Sequence, residues 1–139
     1  MQVIFDTGSS WLWFPTKECG SDCHQKAQLF DTESSDSYFK VSRTPSFIQY
    51  GKGSVWGYKS RDVVCLEKNE GACLKDYNFL SIFTTADLSF MQSDGVLGLA
   101  PGKQNTDSEL FLDRLVSTGL ITTRMFSFSL GGENETSSV

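Results

Sequence analysis

The chain has 139 residues, enough for one domain with a modest core of its own. With 39% hydrophobic and 21% charged residues it reads as globular rather than disordered. A formal net charge of −5 without clustered Lys and Arg argues against a nucleic-acid surface, and no apolar run approaches membrane-spanning length.

Strand signals begin at once. The start, Met1-Gln2-Val3, already reads as part of the run Val3-Ile4-Phe5, so no signal peptide is expected there. Trp11-Leu12-Trp13-Phe14 follows. Phe47-Ile48-Gln49-Tyr50 and Val55-Trp56-Gly57-Tyr58 then flank Gly51-Lys52-Gly53, which predicts a hairpin. A second hairpin is expected between Val63-Val64-Cys65-Leu66 and the run Tyr77 to Phe83, turning near Asn69-Glu70-Gly71. Val96-Leu97 is another short strand. One helix is expected inside 106–119: Thr106 and Glu109 have capping-box spacing, Phe111, Leu112, Leu115 and Val116 make one apolar face, and Gly119 supplies a stop. Phe126 to Leu130 reads as a last strand, and 131–139 is polar. The predicted fold is a mostly antiparallel β domain with a hairpin at Gly51-Lys52-Gly53, one short helix and no internal repeat.

The four cysteines form two local pairs, Cys19/Cys23 and Cys65/Cys73. Their short spacings favour the bridges Cys19–Cys23 and Cys65–Cys73 among the three possible connectivities. The rival is a zinc site using Cys19, Cys23 and His24, the only histidine. Its spacings match no common finger, and neighbours such as Cys23 and His24 rarely bind one ion together. No metal and no other cofactor is therefore expected. Paired cysteines imply an oxidising compartment, in keeping with the sequon Asn134-Glu135-Thr136 and its possible glycosylation at Asn134.

The chemistry concentrates in Asp6-Thr7-Gly8-Ser9-Ser10. Alone, such a triplet is a turn signal, since Asp can bond its own downstream backbone and Gly tolerates unusual φ. Here apolar runs on both sides, Val3 to Phe5 and Trp11 to Phe14, would hold the Asp6 carboxylate at a rigid loop tip. Ser9 and the loop N–H groups could then orient it. Other chemistries fit less well. Gly51-Lys52-Gly53 lacks the strand-to-helix setting of a phosphate loop, and a Ser/His/Asp triad would have to use His24 inside a small cysteine loop.

This segment resembles the active-site motif of pepsin-like aspartic peptidases of the two-lobed eukaryotic type, and further blocks follow in that family's order. Phe30-Asp31-Thr32-Glu33-Ser34-Ser35-Asp36-Ser37-Tyr38 resembles the turn before the flap. Tyr50-Gly51-Lys52-Gly53-Ser54 resembles the flap hairpin, and Asp94-Gly95-Val96-Leu97-Gly98-Leu99 resembles the strand that passes beneath the catalytic loop. The match runs from about Val3 to Leu130. It implies that Asp6 is one of two catalytic aspartates, supported by Thr7, Gly8 and Ser9. Tyr50, Gly51, Lys52 and Gly53 would cover the substrate, with Trp13 as the partner of Tyr50. Gly95 and Gly98 would serve backbone geometry. Lys52 departs from the small hydroxyl residue usual at the flap tip.

The implied function is proteolysis of peptide and protein substrates by a water held between two aspartates that share a proton. The sequence holds one such motif, because Asp94-Gly95-Val96 lacks the hydroxyl residue. The expectation is therefore that 1–139 is an N-terminal lobe without its first strands and without the C-terminal lobe, and is inactive alone. A secreted or acidic, lysosome- or vacuole-like setting is implied, with no nucleic acid and no membrane span. Two alternatives stand beside it: a pepsin-fold binding or inhibitor module that has lost catalysis, and a retropepsin-like homodimer.

Overall fold

The structure is a computed structural model and describes residues 1–23, 27–66, 70–103 and 107–132. His24, Asn69, Thr106 and Asn134, each named above, lie outside the described residues.

Six strands form one open sheet in the order β1-β6-β2-β5-β4-β3. They are β1 (Val3–Asp6), β2 (Leu12–Pro15), β3 (Phe39–Tyr50), β4 (Gly53–Cys65), β5 (Cys73–Ala86) and β6 (Gly95–Gly98). The long pairings β3–β4 and β4–β5 are antiparallel, as is β2–β6, whereas β1–β6 and β2–β5 run parallel. The mostly-β, mostly antiparallel reading thus holds, with parallel contacts at the β1 end that local pattern does not reveal. Among the described residues, no helix joins parallel neighbours in a β-α-β unit, because the α-helix follows the last strand.

The central strands are apolar on both faces because both faces are covered. Side chains alternate across a strand. Trp13, Leu80, Ile82 and Val96 therefore point into one core, joined by Trp11, Val55, Leu88 and Met91. Their neighbours Leu12, Phe79 and Leu97 point into the other, with Leu74, Tyr77 and Leu99. This is why Tyr77 to Phe83 reads as a continuous run rather than an alternation. The edge strand β3 is longer than its Phe47–Tyr50 signal. Its first half is largely exposed, carries Lys40 and Arg43, and shifts register between Lys40 and Pro45. A proline is tolerated there because an edge strand has unpaired N–H positions.

Helix α1 spans Phe111–Ser117, shorter than its sequence signal. Seven residues are too few to be helical alone, so packing decides. Phe111 and Leu115 are buried in the second core, each stabilising the docked helix by ~2 kcal/mol. Glu109 does not cap the helix. Its Oε2 accepts from the backbone N (3.2 Å) and Nδ2 (2.9 Å) of Asn78, while Tyr77 donates its hydroxyl to the Glu109 carbonyl at 2.8 Å. The helix start is thereby tied to β5 instead. Gly119, at φ 74°, ends the helix: its N–H reaches the Val116 carbonyl and that of Leu120 the Leu115 carbonyl, both at 3.0 Å. The strand expected from Phe126 to Leu130 does not form. Only Ser129 takes part in a bridge, while Phe126 packs on the second core and the Phe128 ring lies 6.3 Å from that of Phe5. Without a continuous neighbour to pair with among the described residues, an apolar alternation gives extended chain and no ladder.

Both expected disulfides are present, with Cα separations of 5.6 Å for Cys19–Cys23 and 4.0 Å for Cys65–Cys73. The second joins directly paired residues of β4 and β5. Cys19 and Cys23 are buried in the first core, and their mutual bond removes them as zinc ligands. Each bridge closes a short loop, so replacing both cysteines of a pair by Ala should lower stability by about 2 kcal/mol, read from the urea midpoint.

Candidate active site

The sheet order places Asp6 where three strands meet. β1 ends at Asp6, the chain loops through Thr7 to Trp11, and β2 departs from Leu12 without pairing with β1. Strand β6 runs between them instead and holds the loop from below. Asp6 sits opposite Gly98, and the backbone N–H of Leu99 donates to the Asp6 carbonyl at 2.7 Å. Gly98 donates its N–H to Trp11, and Ala100 to Ser9, both at 2.9 Å. Such closeness requires glycine. A Cβ on Gly98 would stand 2.6 Å from the Ser9 oxygen and the Trp11 nitrogen, and one on Gly95 would stand 2.1 Å from the Trp13 oxygen.

The loop orients the carboxylate through backbone. Gly8 donates its N–H to Asp6 Oδ1 at 2.9 Å, the local Asx geometry that the triplet predicts. Asp6 is partly exposed and Thr7 exposed, so the loop tip faces solvent while its root is packed. Ser10 is fully buried and donates its hydroxyl to Ser108 Oγ at 3.0 Å, which links the loop to the chain just before α1. Ser9 behaves differently from expectation. Its buried Oγ makes no hydrogen bond to any described group, so it does not orient Asp6. It still lies close enough to the Tyr50 oxygen to favour the ionised phenol slightly.

The β3–β4 hairpin brings Tyr50 to this loop. Tyr50 pairs with Gly53 across a turn made by Gly51 and Lys52. Gln49 braces that turn, donating from Nε2 to the carbonyls of Tyr50 (2.7 Å) and Gly53 (3.0 Å). Gly51 has open space around it, whereas a Cβ on Gly53 would lie 2.6 Å from the Ala86 carbonyl, so the hairpin foot rests directly on the end of β5. The Tyr50 side chain packs on the first core and accepts a 2.6 Å hydrogen bond from Trp13 Nε1, with ring centroids 6.2 Å apart. Burial pushes its phenol up to about 12, offset in part by the Trp13 N–H and the Ser9 hydroxyl and reinforced by the charge on Asp6. Asp6, Ser9, Trp13 and Tyr50 are thus brought into one electrostatic neighbourhood, with Gly98 beneath.

Two expected results follow from Tyr50. Tyr50→Phe removes the acceptor of a buried indole N–H, since Trp13 is only 1% exposed. Stability should fall by about 1–3 kcal/mol, read from urea unfolding. The second concerns pH. An unfolded tyrosine ionises near 10, whereas folded Tyr50 holds its proton to about 12. Its contribution is therefore intact below pH ~10 and should be lost as pH rises from ~10 to ~12. Alkaline unfolding of the wild type and Tyr50→Phe, compared over that range, checks this.

Some residues of the site carry no signal of their own. Asp94 accepts from the backbone N of Gln2 (2.6 Å) and of Gln28 (2.7 Å), pinning the start of β1 and a distant loop to the root of β6. Gln49 and Ser108 likewise act through folded geometry alone. For Asp94, its place at the head of the block Asp94 to Leu99 is a hint of position, but not of the two N–H groups it accepts from. No group of three or more His, Cys, Asp or Glu is placed to hold a metal among the described residues, and no described helix is long and apolar enough to cross a membrane.

Comparison with known proteins agrees with this arrangement. A family model described as eukaryotic aspartyl protease matches residues 1–139. Pepsin II-2/3 of Oryctolagus cuniculus is 35% identical over 99% of this chain and 35% of its own length. Procardosin-A of Cynara cardunculus is 35% identical over 92% of this chain and 25% of its own length. Pepsin A of Gallus gallus is 33% identical over 98% of this chain and 37% of its own length. The chain thus spans about a third of the length of these relatives, or less. It belongs to the eukaryotic aspartyl protease family.

Proposed function

We propose that this chain is the N-terminal lobe of an aspartic endopeptidase, with Asp6 as one of two carboxylates that activate a water against a peptide bond. The observation that carries the reading is the setting of Asp6: a carboxylate at a solvent-facing tip, fixed by Gly8 and braced by β6, in the neighbourhood of Tyr50 on the β3–β4 hairpin. A single carboxylate cannot do this chemistry. Two carboxylates in close approach hold one proton between them, so one takes a proton from water while the other donates to the scissile carbonyl. The second carboxylate would come from a C-terminal lobe of the same protein, since the chain has one Asp-Thr-Gly motif and spans about a third of its relatives.

In this reading Thr7, Gly8 and Ser9 shape the loop, and Gly95 and Gly98 let β6 pass beneath it. Trp13 holds Tyr50, and Tyr50 to Gly53 close over an extended peptide. The two disulfides suit a secreted protein or one in an acidic, vacuole-like compartment. The test assays the 139-residue chain and the full-length protein on an unfolded protein at acidic pH. Cleavage by the long form and none by the chain is the expected result. Robust, Asp6-dependent cleavage by the chain alone would favour a homodimer with two copies of Asp6, and silence of both would favour a non-catalytic binding module.

A further inference from the structure

The tip of the hairpin carries a charge that the proposed chemistry does not use. Lys52 lies at the apex of the β3–β4 turn, exposed, and forms no ion pair among the described residues. Its Nζ stands 6.0 Å from the centroid of the Phe90 ring, the outer limit of a cation–π contact. Phe90 is itself 55% exposed. Between the turn and the segment after β5 lies a recess of about 500 Å³, bounded by the hairpin tip, Asp87 and Phe90.

Among the described residues two charged groups line this recess, Lys52 from the hairpin and Asp87 from the segment after β5. They differ in reach. Asp87 has a short side chain on a residue held at φ 56°, a turn conformation that Asp tolerates better than most residues. Lys52 is a point charge on a flexible four-carbon stem, free to follow a ligand. A peptide side chain entering here meets an apolar ring on one wall and a mobile ammonium overhead. That combination suits the methylenes and carboxylate of an acidic residue.

We propose that Lys52 makes the hairpin tip a selector for peptide substrates bearing Glu or Asp near the scissile bond, whose carboxylate it pairs within the recess beside Phe90. The inference rests on the reading of Asp6 as catalytic and names the substrate class of that same site. Asp87 opposes the preference, because it places a like charge in the same recess.

The test uses the full-length protein and three peptides identical except at one position near the cleaved bond, which holds Glu, Gln or Lys. At pH ~5.5 a peptide glutamate is largely ionised, and kcat/KM for Glu over Gln should be about 3-fold, the scale of a solvent-exposed ion pair. The ratio should fall towards one near pH ~3, where glutamate is protonated, and also in ~0.5 M salt. Lys52→Gln should bring the ratio at pH ~5.5 to one or below, because Asp87 then opposes the glutamate alone, Lys52→Glu should invert it in favour of the Lys peptide, and Asp87→Asn should raise it. A ratio unchanged by Lys52→Gln while the peptides are still cleaved would overturn the proposal, as would a wild-type preference for the Lys peptide that Asp87→Asn removes. Binding of the same peptides to the full-length Asp6→Asn protein, followed by calorimetry, separates the two readings. A Lys52-dependent preference in binding without wild-type turnover keeps the recess and sinks the catalytic assignment. Turnover without any such preference does the reverse.

Discussion

Replacing Asp6 by Asn in the full-length protein is expected to cut peptide cleavage by ~10³-fold or more while leaving the lobe folded. The size follows from what is removed, because a positioned general acid–base group supplies about 10²–10⁴-fold on its own. The intact fold follows from the geometry. Asn keeps an oxygen where Asp6 Oδ1 accepts from the Gly8 N–H at 2.9 Å, and the backbone bond from Leu99 to the Asp6 carbonyl is untouched. The wild-type rate should be highest in acid, where the proposed pair holds one proton, and should fall as both members ionise. A second readout does not depend on turnover. The charge on Asp6 is one of the causes that raise the Tyr50 phenol to about 12, though smaller than burial. Removing it should let Tyr50 ionise at lower pH, visible as an earlier tyrosinate absorbance in a spectroscopic titration. If cleavage survived Asp6→Asn while this titration moved, Asp6 would be a neighbour of Tyr50 and nothing more.

What the sequence reveals of this site, and what it hides, divides by distance along the chain. Asp6-Thr7-Gly8 is legible because its turn chemistry is local: the Gly8 N–H reaches the side chain two residues before it. The hairpin at Gly51-Lys52 is legible for the same reason, and so are the two short disulfide loops. The insertion of β6 between β1 and β2 leaves no such local mark, since it joins residues 3–6 to 95–98, and only the family resemblance of Asp94 to Leu99 pointed to a strand beneath the loop. Non-local pairing also explains the two element-level differences. Glu109 has good capping spacing, but Asn78 on β5 offered its carboxylate two donors, the backbone N–H and the side-chain amide. Phe126 to Leu130 has strand composition, but composition cannot supply a neighbouring strand. Ser9 shows the limit at the level of one atom: its position in the motif suggests a partner for Asp6, whereas its hydroxyl lies buried on the Tyr50 side of the loop.

The largest stability effect should come from Gly95, a residue with no chemistry at all. Strand β6 is buried along its whole length and fits between β1 and β2 only because it presents no side chain at its two ends. A Cβ on Gly95 would lie 2.1 Å from the Trp13 carbonyl oxygen and 3.0 Å from the Phe14 Cα, both of them backbone atoms that no rotamer change can move. Relief would require β6 to separate from β2, which would break the Trp13–Val96 and Leu12–Leu97 pairing and open both cores at once. Gly95→Ala should therefore cost about 3 kcal/mol or more, the upper range for overpacking a buried site. Gly98→Ala meets Ser9 and Trp11 at 2.6 Å and should cost somewhat less in stability but, on the proposed role of Asp6, more in function, because the backbone it displaces belongs to the loop that carries Asp6. The pair of variants thus separates two outcomes. Gly95→Ala should lose stability and, where still folded at low temperature, keep its activity per folded molecule. Gly98→Ala should lose activity per folded molecule even where thermal unfolding shows the lobe intact. Equal effects of both variants on stability alone would mean that β6 supports the fold without positioning Asp6.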